Sequence, residues 1–355
     1  MISYKNAGVD IAAGDSASRS AYAHALCTFA ARRGMIGAPV PEDDGYAGLL
    51  DMGDYLLVQS TDGTGTKIDL AAAMHRYDTL GYDLLAMVAD DAVCTGAEVI
   101  SVSNCLDVPR IDVRHVDALL RGLADACFAQ KIVIPTGEIA EVPGAVTRGV
   151  WSATCIGIVA KDRVIDARSA EEGDVIIGLR SAVARSNGFS LIRAILTDAH
   201  GERWHEREWR DGTTWGDILL TPSIVYHDAI LSVIGRHGED RAVAVKGIAH
   251  ITGGGIPSKL RRVLKRSGLG AKLTDLWKPH EAIVDLIALG DVAIEETYST
   301  WNMGTGMLLI VSPADVDRAI DLLAAQAMEA RTVGVMTSDC TIAITAYDGS
   351  HLVFQ

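Results

Sequence analysis

Apolar and polar positions follow two periods along the chain, and they switch several times. Tyr55–Ser60 (YLLVQS) is a short apolar run of strand-forming residues, which reads as a buried strand, and the Gly/Thr-rich segment Thr61–Lys67 (TDGTGTK) follows it directly as a loop. From Leu80 to Thr95, the residues Leu84, Leu85, Met87, Val88 and Ala92 recur at helical spacing, and Gly96 supplies a stop signal, so a helix is predicted there. The same reading gives strand Val99–Cys105, amphipathic helix Val113–Ala129, and strands Ile132–Pro135 and Val150–Val159. Beyond a charged, turn-rich stretch at Lys161–Asp174, it gives strand Val175–Leu179, helices Phe189–Thr197 and Ser223–Ile234, and strand Ala242–Ile248. Helix Ser258–Lys265, strand Met307–Val311 and helix Pro313–Ala325 complete the pattern. Strands interspersed with helices on both sides of the charged stretch predict an α/β (α+β) chain of two domains, residues 1–165 and 166–355. Within the second, His200–Gly216 carries Trp204, Trp209 and Trp215 among many charges and reads as a surface insertion whose indoles pack locally.

Composition narrows the classes. The 355 residues are 49% hydrophobic and 22% charged, which places the chain among globular proteins rather than disordered ones. Its net charge of -14, with no dense Lys/Arg cluster, argues against nucleic acid as the main partner. The longest apolar candidate, Gly149–Ala160, is broken by Ser152 and Thr154 and falls short of the roughly 18 residues of a membrane span, so no membrane is expected. Residues 1–20 lack the order of a signal peptide, and the expected compartment is the cytoplasm. Six scattered cysteines form no Cys-x-x-Cys and read mostly as small buried apolar residues.

Five places carry candidate chemistry. In Thr61–Lys67, Gly63 and Gly65 permit close backbone approach, Asp62 is a hard oxygen ligand, and Lys67 is a phosphate partner, yet neither a Walker A nor a Gly-x-Gly-x-x-Gly pattern is present. Asp90 and Asp91 interrupt an apolar helix, where unpaired carboxylates are costly. A magnesium ion relieves that cost, although neighbours on a helix point about 100° apart, so one of the two is expected to reach it. Glu138 and Glu141 follow Thr136-Gly137, and a surface position is the alternative for each. Arg185-Ser186-Asn187-Gly188 precedes a helix, whose N-terminus favours either an anion or a simple cap, and His250-Ile-Thr252-Gly253-Gly254-Gly255 precedes another, with phosphate the natural ligand.

These segments together resemble the phosphoribosylformylglycinamidine cyclo-ligase (aminoimidazole ribonucleotide synthetase) family over nearly the whole chain. Tyr4–Gly14 is similar to its N-terminal signature, Thr61–Lys67 to TDGVGTK with Thr64 for Val, and Asp90-Asp91 to Asn-Asp. Gly137–Gly144 resembles GGETAEMPG, Ser186–Leu191 SNGYSL, Leu219–Ser223 LLTPT, and His250–Gly255 HLTGGG. The resemblance implies N-terminal domains that pair into a homodimer barrel, with ATP and Mg2+ near that interface. The implied reaction uses ATP to activate a formamide oxygen of formylglycinamidine ribonucleotide before ring closure. By position it implies a cofactor loop of Asp62, Gly63, Thr64, Gly65, Thr66 and Lys67, and metal ligands drawn from Asp62, Asp90, Asp91 and Glu138. Substrate contacts would come from Ser186, Asn187, Gly188, His250, Thr252, Gly253, Gly254 and Gly255, and catalytic roles from Lys67, Asp91, Glu138, Arg185 and Asn187.

Departures from the pattern cluster where ligands are expected. A family histidine is Arg185 here, which cannot act as a base at neutral pH but suits an anion. The family's Gly-Gly-Phe-Gly-Ala reads Asp44–Gly48, its Leu-Asp-Tyr reads Ser103–Cys105, and its Phe-Asn-Cys-Gly reads Trp301–Gly304. Three readings therefore stand: the purine cyclo-ligase, a paralogue that activates another amide or carboxylate with ATP, and a catalytically silent ATP-binding dimer. Retained acidic residues and Lys67 count against the third.

Overall fold

The computed structural model describes residues 11–41 and 45–355, except for the side chains of residues 11, 12 and 15. Most of the Tyr4–Gly14 signature and Asp44 lie outside the described residues. Two sheets divide the chain. Strands β1 (Ala38–Val40), β2 (Gly48–Asp51), β3 (Tyr55–Gly63), β4 (Glu98–Val108), β5 (Gly137–Glu141) and β6 (Val150–Ala160) form the first, in the order β1-β2-β3-β6-β4-β5. Only β4 and β5 run parallel in it. Helices α1 (Ile11–Phe29), α2 (Lys67–Met74), α3 (Leu80–Val93) and α4 (Val113–Gln130) belong to this half. Alternation decides the faces: Leu56, Val58, Val102, Leu106, Ala153 and Cys155 are buried with the apolar residues of α3, while Leu57, Gln59, Ser103, Thr154, Ile156 and Ile158 lie on the opposite, less covered face.

The second sheet contains β7 (Val175–Arg180), β10 (Gly247–His250), β11 (Gly270–Leu273), β12 (Thr305–Val311), β13 (Ala330–Thr337), β14 (Ile342–Thr345) and β15 (His351–Phe354), while β8 (Glu208–Arg210) and β9 (Thr213–Thr214) form a separate hairpin. Around them run α5 (Phe189–His200), α6 (Trp215–Leu219), α7 (His227–Ile234), α8 (Gly255–Ser267), α9 (Glu281–Gly290), α10 (Ile294–Thr300) and α11 (Val316–Ala325). All residues of β12 are buried because helices cover both faces: Leu308 and Ile310 join the core that holds α5, α8 and α9, whereas Met307, Leu309 and Val311 join that of α7 and α11.

Three expected elements shift, each for a physical reason. Ile132–Pro135 makes only an isolated bridge at Val133, since Pro135 has no N–H to extend a ladder, and the strand forms after it at Gly137–Glu141. Helix α7 starts at His227 rather than Ser223 because the N–H groups of Ser223, Tyr226 and His227 are taken by Asp83 and Asp90. The strand expected from Ala242 begins at Gly247, since Val243 donates to Val233 at the end of α7. In the hairpin region Trp204 and Trp215 are buried, and Trp209 donates to Asp285. Cys94, Cys127 and Cys155 are buried, Cys105 is half-buried, and Cys27 and Cys340 are exposed. Among the described residues, no helix is long and apolar enough to cross a membrane.

Candidate active site

Strand β3 ends at Gly63, the chain turns through Thr64-Gly65-Thr66, and α2 begins at Lys67. The turn is anchored to β6 by the Thr64 N–H, which donates to the Trp151 carbonyl at 3.0 Å. A Cβ built on Gly65 (φ +57°) would sit 3.5 Å from the Ser186 carbonyl, and one on Gly253 would sit 3.8 Å from Asn187 Nδ2. The three loops singled out in the sequence therefore meet in one seam between the two halves. Thr64 Oγ1, Ser186 Oγ and Asn187 Oδ1 are buried there with no partner. Buried polar atoms are rarely left this way, and such a group of orphans is what a polar ligand would satisfy. Gly255 has a different task. Its Cβ would lie 1.9 Å from the Tyr298 carbonyl, so this glycine admits α10 rather than a phosphate, and Gly253 remains the one that faces Asn187.

The carboxylates separate. Asp62 and Asp91 are both pushed up to about 6, mainly by burial, with the charge of Asp91 adding to the shift at Asp62; Lys259 opposes the shift at both and Arg262 at Asp91. Two acids that share a buried seam with a lysine fit a divalent cation, and magnesium commonly takes one or two carboxylates plus phosphate and water. Asp90 does not join them. Its Oδ2 pairs with Arg185 Nη2 at 2.9 Å, and its Oδ1 accepts from the N–H groups of Tyr226 and His227, so its oxygens are taken up inside the protein. Glu138 is also removed: the register runs Gly63↔Ser152↔Cys105↔Glu138, which puts it about three interstrand spacings, ~14 Å, from the end of β3, on exposed β5. Among the described residues no three metal-ligating side chains converge.

Lys67 likewise departs from expectation. Fully buried, its ammonium contacts Asp83 at 2.8–2.9 Å and the Thr221 carbonyl at 2.7 Å, because a charge in this seam requires an internal counter-charge. Burial pulls its pKa down, and Asp83 opposes that shift. Arg185 is also fully buried, and besides Asp90 its Nη2 meets His250 Nε2 at 2.8 Å, while His250 Nδ1 lies 2.7 Å from Asp91 Oδ1. Burial, and then the Arg185 charge, hold the imidazole pKa well below its ordinary range. Gly188 caps α5 with its would-be Cβ 2.4 Å from Trp301 Nε1. Thr252 is buried, and its carbonyl accepts from the Gly255 N–H.

Several residues here escape sequence reading. Lys259 and Arg262 flank the acids from the first two turns of α8, and Tyr46 donates to the Lys259 carbonyl at 2.9 Å. Basic residues within two turns of a Gly-rich loop are a usable signal for the first two, whereas nothing local marks Asp83 as the partner of Lys67. A wide cleft of about 840 Å³ lies elsewhere, between the end of α2 and α4, and none of the expected site residues lines it.

Residues 44–159 match the family described as AIR synthase related protein, N-terminal domain, and residues 171–346 match AIR synthase related protein, C-terminal domain, so the first match covers most of the first sheet and the second match most of the second. A protein of Myxococcus xanthus named phosphoribosylformylglycinamidine cyclo-ligase is 37% identical over 345 residues, covering 93% of this chain and 94% of the relative. Its namesake in Thermoanaerobacter sp. (strain X514) is 33% identical, covering 94% of this chain and 97% of the relative. Among solved structures, the hydrogenase maturation protein in the HypE–HypF complex aligns with a TM-score of 0.64 at 16% identity, over 88% of this chain and 93% of that one. T. maritima PurL complexed with ADP aligns with a TM-score of 0.58 at 14% identity, over 88% of this chain and 46% of that one, and both show the shared fold. With a third or more of its residues shared over nearly its full length, the chain belongs to the phosphoribosylformylglycinamidine cyclo-ligase family.

Proposed function

We propose that the protein closes the imidazole ring of aminoimidazole ribonucleotide from formylglycinamidine ribonucleotide, with ATP and Mg2+ bound in the seam between its two halves. The observation that carries this reading is the meeting of the TDGTGTK, RSNG and HITGGG loops around unpartnered buried polar atoms, in a chain of this family. ATP supplies the phosphoryl group that turns the formamide oxygen into a leaving group, so that the amidine nitrogen can displace it as phosphate. Asp62 and Asp91 would hold the magnesium ion, and Ser186, Asn187 and Gly253 would contact substrate or phosphate. Lys67, tied to Asp83, would act by holding the turn of residues 64–66 in place. The first sheet supports a homodimer: its less covered face presents Leu57, Ile156 and Ile158, with exposed Val150 at the start of β6 on the same face.

A coupled assay with Mg-ATP and formylglycinamidine ribonucleotide should release ADP and aminoimidazole ribonucleotide in equal amounts. Asp62→Asn should raise the Mg2+ requirement by at least the roughly tenfold that loss of an outer-shell partner costs. An unchanged Mg2+ dependence removes Asp62 from the metal. The second reading, a paralogue acting on another amide or carboxylate, is favoured by Arg185 and Trp301 at positions where the family pattern has histidine and phenylalanine. ATP binding without turnover of the ribonucleotide, together with ADP release driven by another amide or carboxylate, decides for it.

A further inference from the structure

Arg185 occupies the left-handed backbone region at φ +56°, a conformation that costs a non-glycine residue about 1 kcal/mol or more, and its side chain is completely buried. Something must hold it there, and the contacts show what it does in return. A guanidinium only donates hydrogen bonds. Its Nη2 lies 2.9 Å from Asp90 Oδ2 and 2.8 Å from His250 Nε2. Two N–H groups cannot share a 2.8 Å contact, so Nε2 must present its lone pair, and the ring proton of neutral His250 is then on Nδ1. That nitrogen lies 2.7 Å from Asp91 Oδ1 and donates to it. We infer that Arg185 is a positioning residue: it selects the Nδ1–H tautomer of His250 and, through that ring, fixes the Asp91 carboxylate in the stretch of seam it shares with Asp62 and Lys259.

His250 is without solvent exposure, whereas Asp91 is 17% exposed, so the relay runs from a sealed interior to the carboxylate that faces the ligand. With its Nε2 occupied, His250 is not a substrate contact or a free base, and its position in the expected substrate set becomes a supporting one. A residue at position 185 able both to donate and to accept, such as glutamine, leaves either tautomer open and loosens Asp91.

The test is a long-range 1H–15N spectrum of the full-length, 15N-histidine-labelled protein without substrate, with the His250 signals identified by their loss in His250→Asn. The expected pattern is a pyrrole-type Nδ1 and a pyridine-type Nε2, and a pyrrole-type Nε2 overturns the inference. Arg185→Lys keeps a donor-only side chain and should preserve the pattern. Arg185→Gln should give averaged or reversed tautomers and lower kcat about 10–100-fold with KM nearly unchanged. A folded Arg185→Gln protein with wild-type spectrum and kcat also overturns it. If that variant does not fold, the wild-type and Arg185→Lys spectra decide. The kinetic arm rests on the proposed ring closure, but the spectra do not, so failure of the substrate assignment and failure of the relay are distinguishable.

Discussion

Lys67 and Asp83 neutralise each other without solvent, and Asp83 also accepts from the Ser223 N–H and hydroxyl. Removing one member of such a pair leaves an uncompensated buried charge, so Lys67→Met should cost about 3–5 kcal/mol in denaturant unfolding. Lys67→Met combined with Asp83→Leu should recover part of it, and a single variant as stable as wild type would show the pair to be dispensable. His227 offers a pH-dependent case. Its Nε2 accepts from the Val99 N–H, and burial, with Arg236 and Lys131 contributing, pulls its pKa to about 3. The unfolded chain takes up this proton near pH 6.5, so the contribution is fully present above that value and is lost as pH falls towards 3. Asp62 and Asp91, raised to about 6, act in the opposite sense between about pH 4 and 6, so the comparison must be made against a variant. Between pH 6.5 and 4.5, wild-type stability should fall more steeply than that of His227→Gln, and parallel profiles would remove His227 as the cause.

At the scale of elements, α3 organises the site. It is nearly all buried, and its two inward carboxylates, Asp83 and Asp90, are two turns apart and grip the 223–227 segment of the other half at both ends. The helix is seated by a close crossing with α4: a Cβ on Gly81 would fall 2.0 Å from the Leu123 backbone nitrogen. Gly81→Ala should therefore force the helices apart and destabilise by about 1–3 kcal/mol or more, measured by thermal unfolding. A neutral or stabilising outcome would mean that the crossing is looser than its geometry. The boundaries of α3 and α4 were legible because apolar spacing sets them locally. The true start of α7 was not, because acceptors on α3, more than 130 residues earlier in the chain, decide it.

For the whole molecule, the first sheet buries one face under α3 and leaves the other less covered, with half-exposed Leu57, Ile156 and Ile158. If that face carries the homodimer, Ile156→Asp should convert the protein to a monomer in light scattering while the far-ultraviolet spectrum stays unchanged. A dimer that persists would place the interface elsewhere. The wide cleft between α2 and α4 is remote from the expected residues, whereas the candidate site is a narrow seam, so volume is a poorer guide here than the convergence of orphaned polar atoms.

What the sequence determined by itself was local: strand-then-glycine turns, helix periodicity, and the motifs that carry the family likeness, since each depends on neighbours a few residues away. Tertiary structure alone decided which charge meets which. Asp90 and Asp91 are adjacent in the chain, yet one is locked by Arg185 and backbone N–H groups while the other meets His250 and stays partly exposed to the seam, because a helix turns successive side chains apart and the second half of the chain meets each with different groups. Glu138 lies across the sheet from Asp62 for a similar reason, since the strand order β3-β6-β4-β5 places two strands between them. Pairings over such separations are set by packing, and no spacing along the chain encodes them.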